Sequence, residues 1–353
     1  MATNNAINLK SAGIVTYDAA GTFTASTVTN HGVVVAGASN TVSSVAPSTS
    51  GNVLTSNGTD WTSAAPSTSG MTPIITQFTS TSTWSKNAST TMVMLMIMSG
   101  AGGGGSGRRN NIGTVRGGGG GGTAGGTAVY FMNAAVFNNS ETVTIGAGGN
   151  WAAGVTVNGA GNTGNVGNVS SITSTLNTIT AVAGVGGIGG DTAATTASVI
   201  NNFTNGVHWS ASAGVGKIAT ATAGGDSDAV YGAFFSTSGA GGGGRDAANA
   251  DFAGGTAGAW LDGTGSLIAG GTAGSASAGG AGNNSLARAS YMYFSGATGG
   301  GGGGGNNTTA RAGGAGGTPG GGGGGGNGVL QVGGNASGAG GNGGRGEVWI
   351  IEF

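Results

Sequence analysis

His31 and His208 are the only imidazoles in this 353-residue chain, and cysteine is absent. A nucleophile–base–carboxylate relay in the C-terminal part would have to use His208, yet no spacing fixes a serine beside it. Its neighbour Trp209 suggests a different use, because an indole face stacks on a sugar or an apolar patch. Arg108 and Arg109 follow a glycine run, and paired guanidinium forks suit phosphate or carboxylate groups. Tyr291 and Tyr293 fall on one face if their segment is extended. With Trp151 and Trp260 they complete a scattered aromatic set of the kind found on adaptable binding surfaces. The binding candidates are therefore Arg108, Arg109, Trp151, His208, Trp209, Trp260, Tyr291 and Tyr293, and no catalytic residue is expected.

Asp226 and Asp228, with Asp246 or Asp251, are the nearest approach to a calcium ligand set. A calcium site needs six or more oxygens, and neither EF-hand nor nonapeptide spacing is present, so no metal is expected. Matches to Gly-x-Gly-x-x-Gly abound, but at 85 glycines in 353 residues chance alone supplies them. No Gly-Lys-Ser/Thr follows any run, so no phosphate cradle and no cofactor are expected.

Charged residues make up 6 % of the chain and the net charge is −1, which leaves no basic footprint for nucleic acid. Residues 1–10 lack a basic segment followed by an apolar one, so no secretory signal is read. The longest strongly apolar run, 92–98, is far short of the about 20 residues a membrane helix needs, so no membrane insertion is expected. Leu, Ile, Val and Phe are too sparse for one ordinary core to offset the ordering entropy of so long a chain. Either the chain is disordered, or it packs backbone against backbone.

The elements that must position the candidates divide in two. Seven of the 85 glycines lie in residues 1–98. Residues 1–70 are rich in Ser, Thr, Val and Asn, with short β-type segments at 14–17 and 33–35. Residues 53–62 predict a hairpin about Asn57-Gly58, a pair that tolerates the positive φ angles of a type I′ turn. Such strands bury little alone, and Val35, Leu54 and Trp61 would gain most by meeting copies of themselves. Residues 1–70 therefore read as an oligomeric attachment stalk, and 71–353 as a glycine-rich distal domain. In the latter, Met92–Met98 predicts a strand covered on both faces, and 346–353 a second strand that pairs with it and closes the domain.

Between these strands, glycine runs at 102–105, 117–122, 241–244, 299–305 and 320–326 alternate with segments that carry side chains. Ordering glycine is costly unless the missing side chain matters. Extended left-handed helices with three residues per turn have no internal hydrogen bonds, and all-glycine versions can lie side by side, bonded through their backbones. The expected fold is thus all-β plus polyglycine-II-type helices in a sandwich-like domain, with almost no α-helix.

Several stretches resemble the glycine-rich tail-fibre and receptor-binding proteins of tailed bacteriophages. They are Thr79-Ser-Thr-Ser-Thr-Trp-Ser-Lys86 with the strand running into Gly102–Gly105, Glu141-Thr-Val-Thr-Ile-Gly-Ala-Gly-Gly149, Asn168-Val-Ser-Ser-Ile172, Ala181-Val-Ala-Gly-Val-Gly-Gly187 and Gly340-Gly-Asn-Gly-Gly-Arg-Gly-Glu-Val-Trp-Ile-Ile-Glu-Phe353. In the N-terminal part, Gly32-Val-Val-Val-Ala-Gly-Ala-Ser-Asn-Thr41 and Gly51-Asn-Val-Leu-Thr-Ser-Asn-Gly-Thr-Asp-Trp61 are similar to fibre repeats. The resemblance implies a non-enzymatic, homotrimeric protein of the virion tail. It would attach to baseplate or fibre proteins through residues 1–70 and bind a bacterial polysaccharide or outer-membrane protein through its distal part. A structural glycine-rich filament and a polysaccharide-degrading tailspike are the alternatives. The irregular aromatic inserts speak against the first, and the missing β-helical repeat with clustered acids against the second.

Overall fold

The computed structural model describes residues 13–17, 23–27, 30–36, 42–66, 72–192, 207–209, 224–227, 236–261, 267–275, 277–283, 296–306 and 308–353. Among the described residues the chain is all-β with almost no helix, and it divides into two compact units, Met1–Thr72 and Pro73–Phe353.

The first unit is a row of antiparallel hairpins: β1 (Gly13–Tyr17) with β2 (Phe23–Thr27), β3 (Val33–Ala36) with β4 (Val42–Val45), and β5 (Val53–Ser56) with β6 (Trp61–Ala64). In the last, Ser56 pairs with Trp61, so the loop spans residues 57–60 in place of the two-residue Asn-Gly turn expected. The Asn57 side chain explains the longer loop: its Oδ1 accepts from the N–H groups of both Thr59 and Asp60, and Gly58 supplies the positive φ of 91°. Val33, Val34, Val53, Leu54 and Trp61 remain exposed.

The second unit begins as two sheets. Strand β7 (Ile74–Phe78) leads to β8 (Ser82–Ser85) and β9 (Met92–Met98); β10 (Arg109–Asn110) lies apart, and β11 (Thr127–Asn133), β12 (Ser140–Thr144), β13 (Ser171–Ile172), β14 (Ile179–Thr180) and β15 (Val207–Trp209) follow. Two-residue strands β16 (Trp260–Leu261), β17 (Leu267–Ile268) and β18 (Val329–Leu330) precede the terminal β19 (Glu347–Glu352). One sheet has the order β15-β11-β9-β19-β7 and the other β14-β13-β12-β8. The expected closure is present: β19 pairs antiparallel with β9, Glu347 opposite Met98. Alternation along β9 directs Val93, Leu95 and Ile97 into one apolar cluster with Phe78, Val348 and Ile350 from the same sheet and Trp84, Val143 and Ile172 from the other. Met96 is buried on the opposite face with Ile351.

Six glycine-rich segments continue directly from these strands, and the backbone of one of them, 99–109, is bonded with a period of three. Gly100, Gly103, Ser106 and Arg109 donate to Asn168, Asn165, Asn162 and Gly159; Ala101, Gly104 and Gly107 donate to Gly344, Gly341 and Gly338; Gly102, Gly105 and Arg108 donate to Thr123, Gly120 and Gly117. Its carbonyls accept from three further segments, at 149–152, 184–190 and 323–326. The six neighbours are also bonded to one another in a closed ring, for example Gly120 to Ile188, Gly164 to Gly187, Asn165 to Asn150, Gly343 to Gly149, Gly341 to Gly324 and Gly122 to Gly323. Segments 320–329 and 297–305 are surrounded in the same way, and the three centres adjoin one another in the order 99–109, 320–329, 297–305. A Cβ on Gly104 would overlap the carbonyl of Gly324, and one on Gly324 that of Gly301. Glycine is required here because backbone occupies the space of a side chain.

Candidate binding surface

At the end of 99–109 away from β9, the described chain turns through loops 110–115, 155–158 and 330–336. Arginine side chains bond backbone oxygens of Asn111, Asn249 and Gly305, where the glycine segments give way to loops. Buried Arg116 donates from Nη1 to Asn111 O at 2.8 Å and from Nη2 to Asn249 Oδ1 at 2.6 Å, while its Nε is buried without a partner. Arg245 donates to Asn249 O and pairs with Asp251. Burial, and then the neighbouring Arg245 charge, lowers the Arg116 pKa from the ordinary arginine value. Arg311 donates to Gly305 O at 3.2 Å. Asn249 holds a positive φ of 68° and serves both buried guanidiniums, one through its side chain and one through its backbone.

Arg109 organises the neighbouring loops. It is 3 % exposed. Its Nε donates to Asn335 Oδ1 at 3.2 Å, Nη1 to Asn158 Oδ1 at 3.4 Å and Nη2 to Gly333 O at 3.1 Å. Asn158 Nδ2 in turn donates to Asn111 Oδ1 at 3.0 Å and Gln331 Oε1 at 2.7 Å, and Asn335 Nδ2 to Leu330 O at 2.8 Å. Loops 110–115, 155–158 and 330–336 are thereby tied into one amide floor. The same loops carry exposed aliphatic residues, Ile112 at 70 % exposure, Val157 at 70 % and Val332 at 47 %. Aliphatic side chains at that exposure gain little for the fold, and the loops that carry them are held by hydrogen bonds, which makes these loops a candidate contact surface.

The described ones among the residues expected from sequence lie on different elements. Arg108 lies at this loop end but is paired with Asp191 at 2.5 Å, and the Arg109 fork is committed to internal oxygens. Trp151 is half-exposed on segment 146–155, next to Ala152, which bonds Gly104 midway along 99–109. His208 and Trp209 lie on β15, at the edge of the five-stranded sheet opposite Ala128 and Thr127, and Trp260 lies on β16 opposite Ile268. Tyr291 and Tyr293 fall outside the described residues. Asp226 accepts from Thr256 N–H and Oγ1, Asp246 closes its own loop on Ala250, and Asp228 is outside the described residues. Among the described residues no three His, Asp or Glu gather as metal ligands.

Ile112, Val157 and Val332 escaped the sequence reading, which favoured aromatic residues. The signal was present in Arg109-Asn-Asn-Ile112, where a glycine run stops at an arginine and apolar and amide residues follow. Compared with known proteins, the chain matches no family model and no curated protein sequence.

Proposed function

We propose that the protein is a receptor-binding fibre or tip protein of a tailed bacteriophage, non-enzymatic, and that the loops around Arg109 contact the bacterial surface receptor. The observation that carries this reading is the trio Ile112, Val157 and Val332 exposed on amide-tied loops at the end of a backbone-bonded scaffold. The scaffold is read as polyglycine-II helices in a sandwich-like bundle. Three residues per turn account for the three-residue bonding period, and a rise of about 3.1 Å per residue makes 99–109 roughly 30 Å long. In such a scaffold the backbone and the buried arginines at its end hold the loops, so exposed loop side chains such as Ile112, Val157 and Val332 are free to vary with the receptor.

Residues 1–70 are the attachment stalk to baseplate or fibre proteins. Two-stranded hairpins are marginal alone, and the exposed Val33, Val34, Val53, Leu54 and Trp61 support a homotrimer in which copies cover one another. Three weak sites per fibre then combine through high effective concentration, and the protein resides in the virion tail.

The test is competition for adsorption. The purified chain should block attachment of the parent phage to its host in a saturable way. Ile112→Asp combined with Val157→Asp should weaken that block by about thirtyfold or more, the effect of losing one binding hot spot. Undiminished blocking by the double variant, or none by the unaltered chain, would overturn the assignment.

A further inference from the structure

Trp151 breaks a local rule. It lies on segment 146–155, three residues from Gly148 and three from Gly154. A Cβ on Gly148 would overlap Gly343 O, and one on Gly154 would overlap Ser337 O. The column that excludes a methyl group on either side holds the largest side chain of all at its middle. Burial does not compensate, since Trp151 is left 47 % exposed. A bulky residue that departs from its local pattern while about half of its surface stays in water marks a site selected for something besides packing.

Its surroundings have a definite chemistry. Trp151 N–H donates to Asn342 Oδ1 at 3.0 Å, which fixes that amide beside the indole-bearing backbone. Asn150 is exposed next to it, and Asn162, Asn165 and Asn168 recur at every third position of the adjoining segment, all exposed. Asn162 leans onto the Trp151 segment, with Nδ2 donating to Ala153 O at 2.9 Å, and Asn165 N–H donates to Asn150 O at 3.0 Å. The three segments 146–155, 159–170 and 337–344 contain no Asp, Glu, Lys, Arg or His. Register places the tryptophan midway along the bundle, because Ala152 donates to Gly104 O and accepts from Gly340 N–H.

We propose that this flank is a second binding site, for an uncharged glycan. The indole would take the C–H face of a hexose, and the exposed amides, each offering donor and acceptor, would bond its hydroxyls. The absence of any charged side chain along the three segments selects against acidic sugars, which would lose hydration without gaining a counter-ion. The site does not depend on how the loop end is used.

A panel of neutral and acidic oligosaccharides, titrated against the full chain, tests it. The unaltered protein should bind at least one neutral oligosaccharide. Trp151→Ala should weaken that binding by about tenfold or more, and Trp151→Phe, which keeps a stacking face, by about threefold or less. Ile112→Asp should leave it unchanged, and the melting temperature of the three variants should match the parent. The site is refuted if no neutral oligosaccharide binds, if Trp151→Ala binds as tightly as the parent, or if Ile112→Asp loses the same binding. Because adsorption competition reads the loop end, the two assignments fail independently.

Discussion

No break in the chain separates β9 from segment 99–109, yet Leu95 and Gly104 are held by unlike forces. Leu95 is fully buried among Val93, Ile97, Val348, Ile350 and the side chains of the facing sheet, so its stability comes from apolar area removed from water. Gly104 has no side chain to bury. Its N–H donates to Gly341 O at 2.8 Å, its O accepts from Ala152 N–H, and its remaining space is filled by the Gly324 carbonyl. A side-chain core tolerates substitutions that conserve volume. A backbone lattice admits no added volume, because the atoms in the way belong to main chain fixed on every side.

The sharpest way to break this contrast is to add carbon to the lattice. Gly104→Val or Gly324→Val should cost more than about 3 kcal/mol and abolish a cooperative melt, as overpacking does where neither partner can move. Gly334→Ala, where an added Cβ meets nothing within 4 Å, should stay within about 0.5 kcal/mol of the parent. Equal tolerance at the three positions in thermal denaturation would remove the lattice account. Amide exchange sharpens the same point: Gly104 and Gly324 N–H should exchange only through global opening, whereas flexible glycine linkers would exchange at once.

Next in size is the opposite change. Leu95→Ala should cost about 2–5 kcal/mol, the transfer term plus a cavity. It should do so while Gly324 remains protected at low denaturant if the two regions open separately. Coincident loss of both would show that sheets and bundle unfold as one unit.

Smaller again is the loop end, where neither a core nor the full lattice operates. Arg116→Met removes a buried guanidinium, leaves Asn249 Oδ1 without its arginine donor and leaves Asn111 O with the Thr114 hydroxyl alone. The expected cost is about 1–3 kcal/mol in denaturant titration, reduced by relief of the nearby Arg245 charge. A stabilised variant would mean that repulsion between the two buried arginines outweighs their capping.

These regions differed in how far the sequence revealed them. Strands with side-chain cores were legible: the apolar runs at 92–98 and at the C-terminus pair as their patterns require, because burial on two faces leaves a mark on every residue. The glycine runs pointed to backbone packing, but their neighbours in space could not be read, since a residue with no side chain carries no register information. Only at the rim does a trace survive, in Gly161-Asn-Thr-Gly164-Asn-Val-Gly167-Asn-Val-Ser170, where Gly164, Gly167 and Ser170 are buried and the residues between are exposed. The loop-end surface was illegible for a related reason. Ile112, Val157 and Val332 come from loops far apart in sequence, and what assembles them is the amide network on Arg109, a residue that sequence alone cast as a contact and that the fold turns inward.

The least costly probe of the contrast is alkali. Tyr130 on β11 is packed against the side-chain core, and burial raises its pKa above the ordinary value of 10.0. Below that value both folded and unfolded chains keep the phenol neutral, and the residue makes stability no more pH-dependent. Above it the unfolded chain ionises first and holds fewer protons than the folded one, so stability falls as pH rises toward the raised folded value. Tyr130→Phe should flatten that alkaline slope, measured as the difference between parent and variant melts. The central segments 297–305 and 320–329 contain no titratable side chain at all. If the sheets loosen first, exchange at Leu95 should quicken with alkali, beyond its intrinsic base catalysis, before exchange at Gly324 does. The reverse order would place the weaker of the two constructions in the glycine lattice.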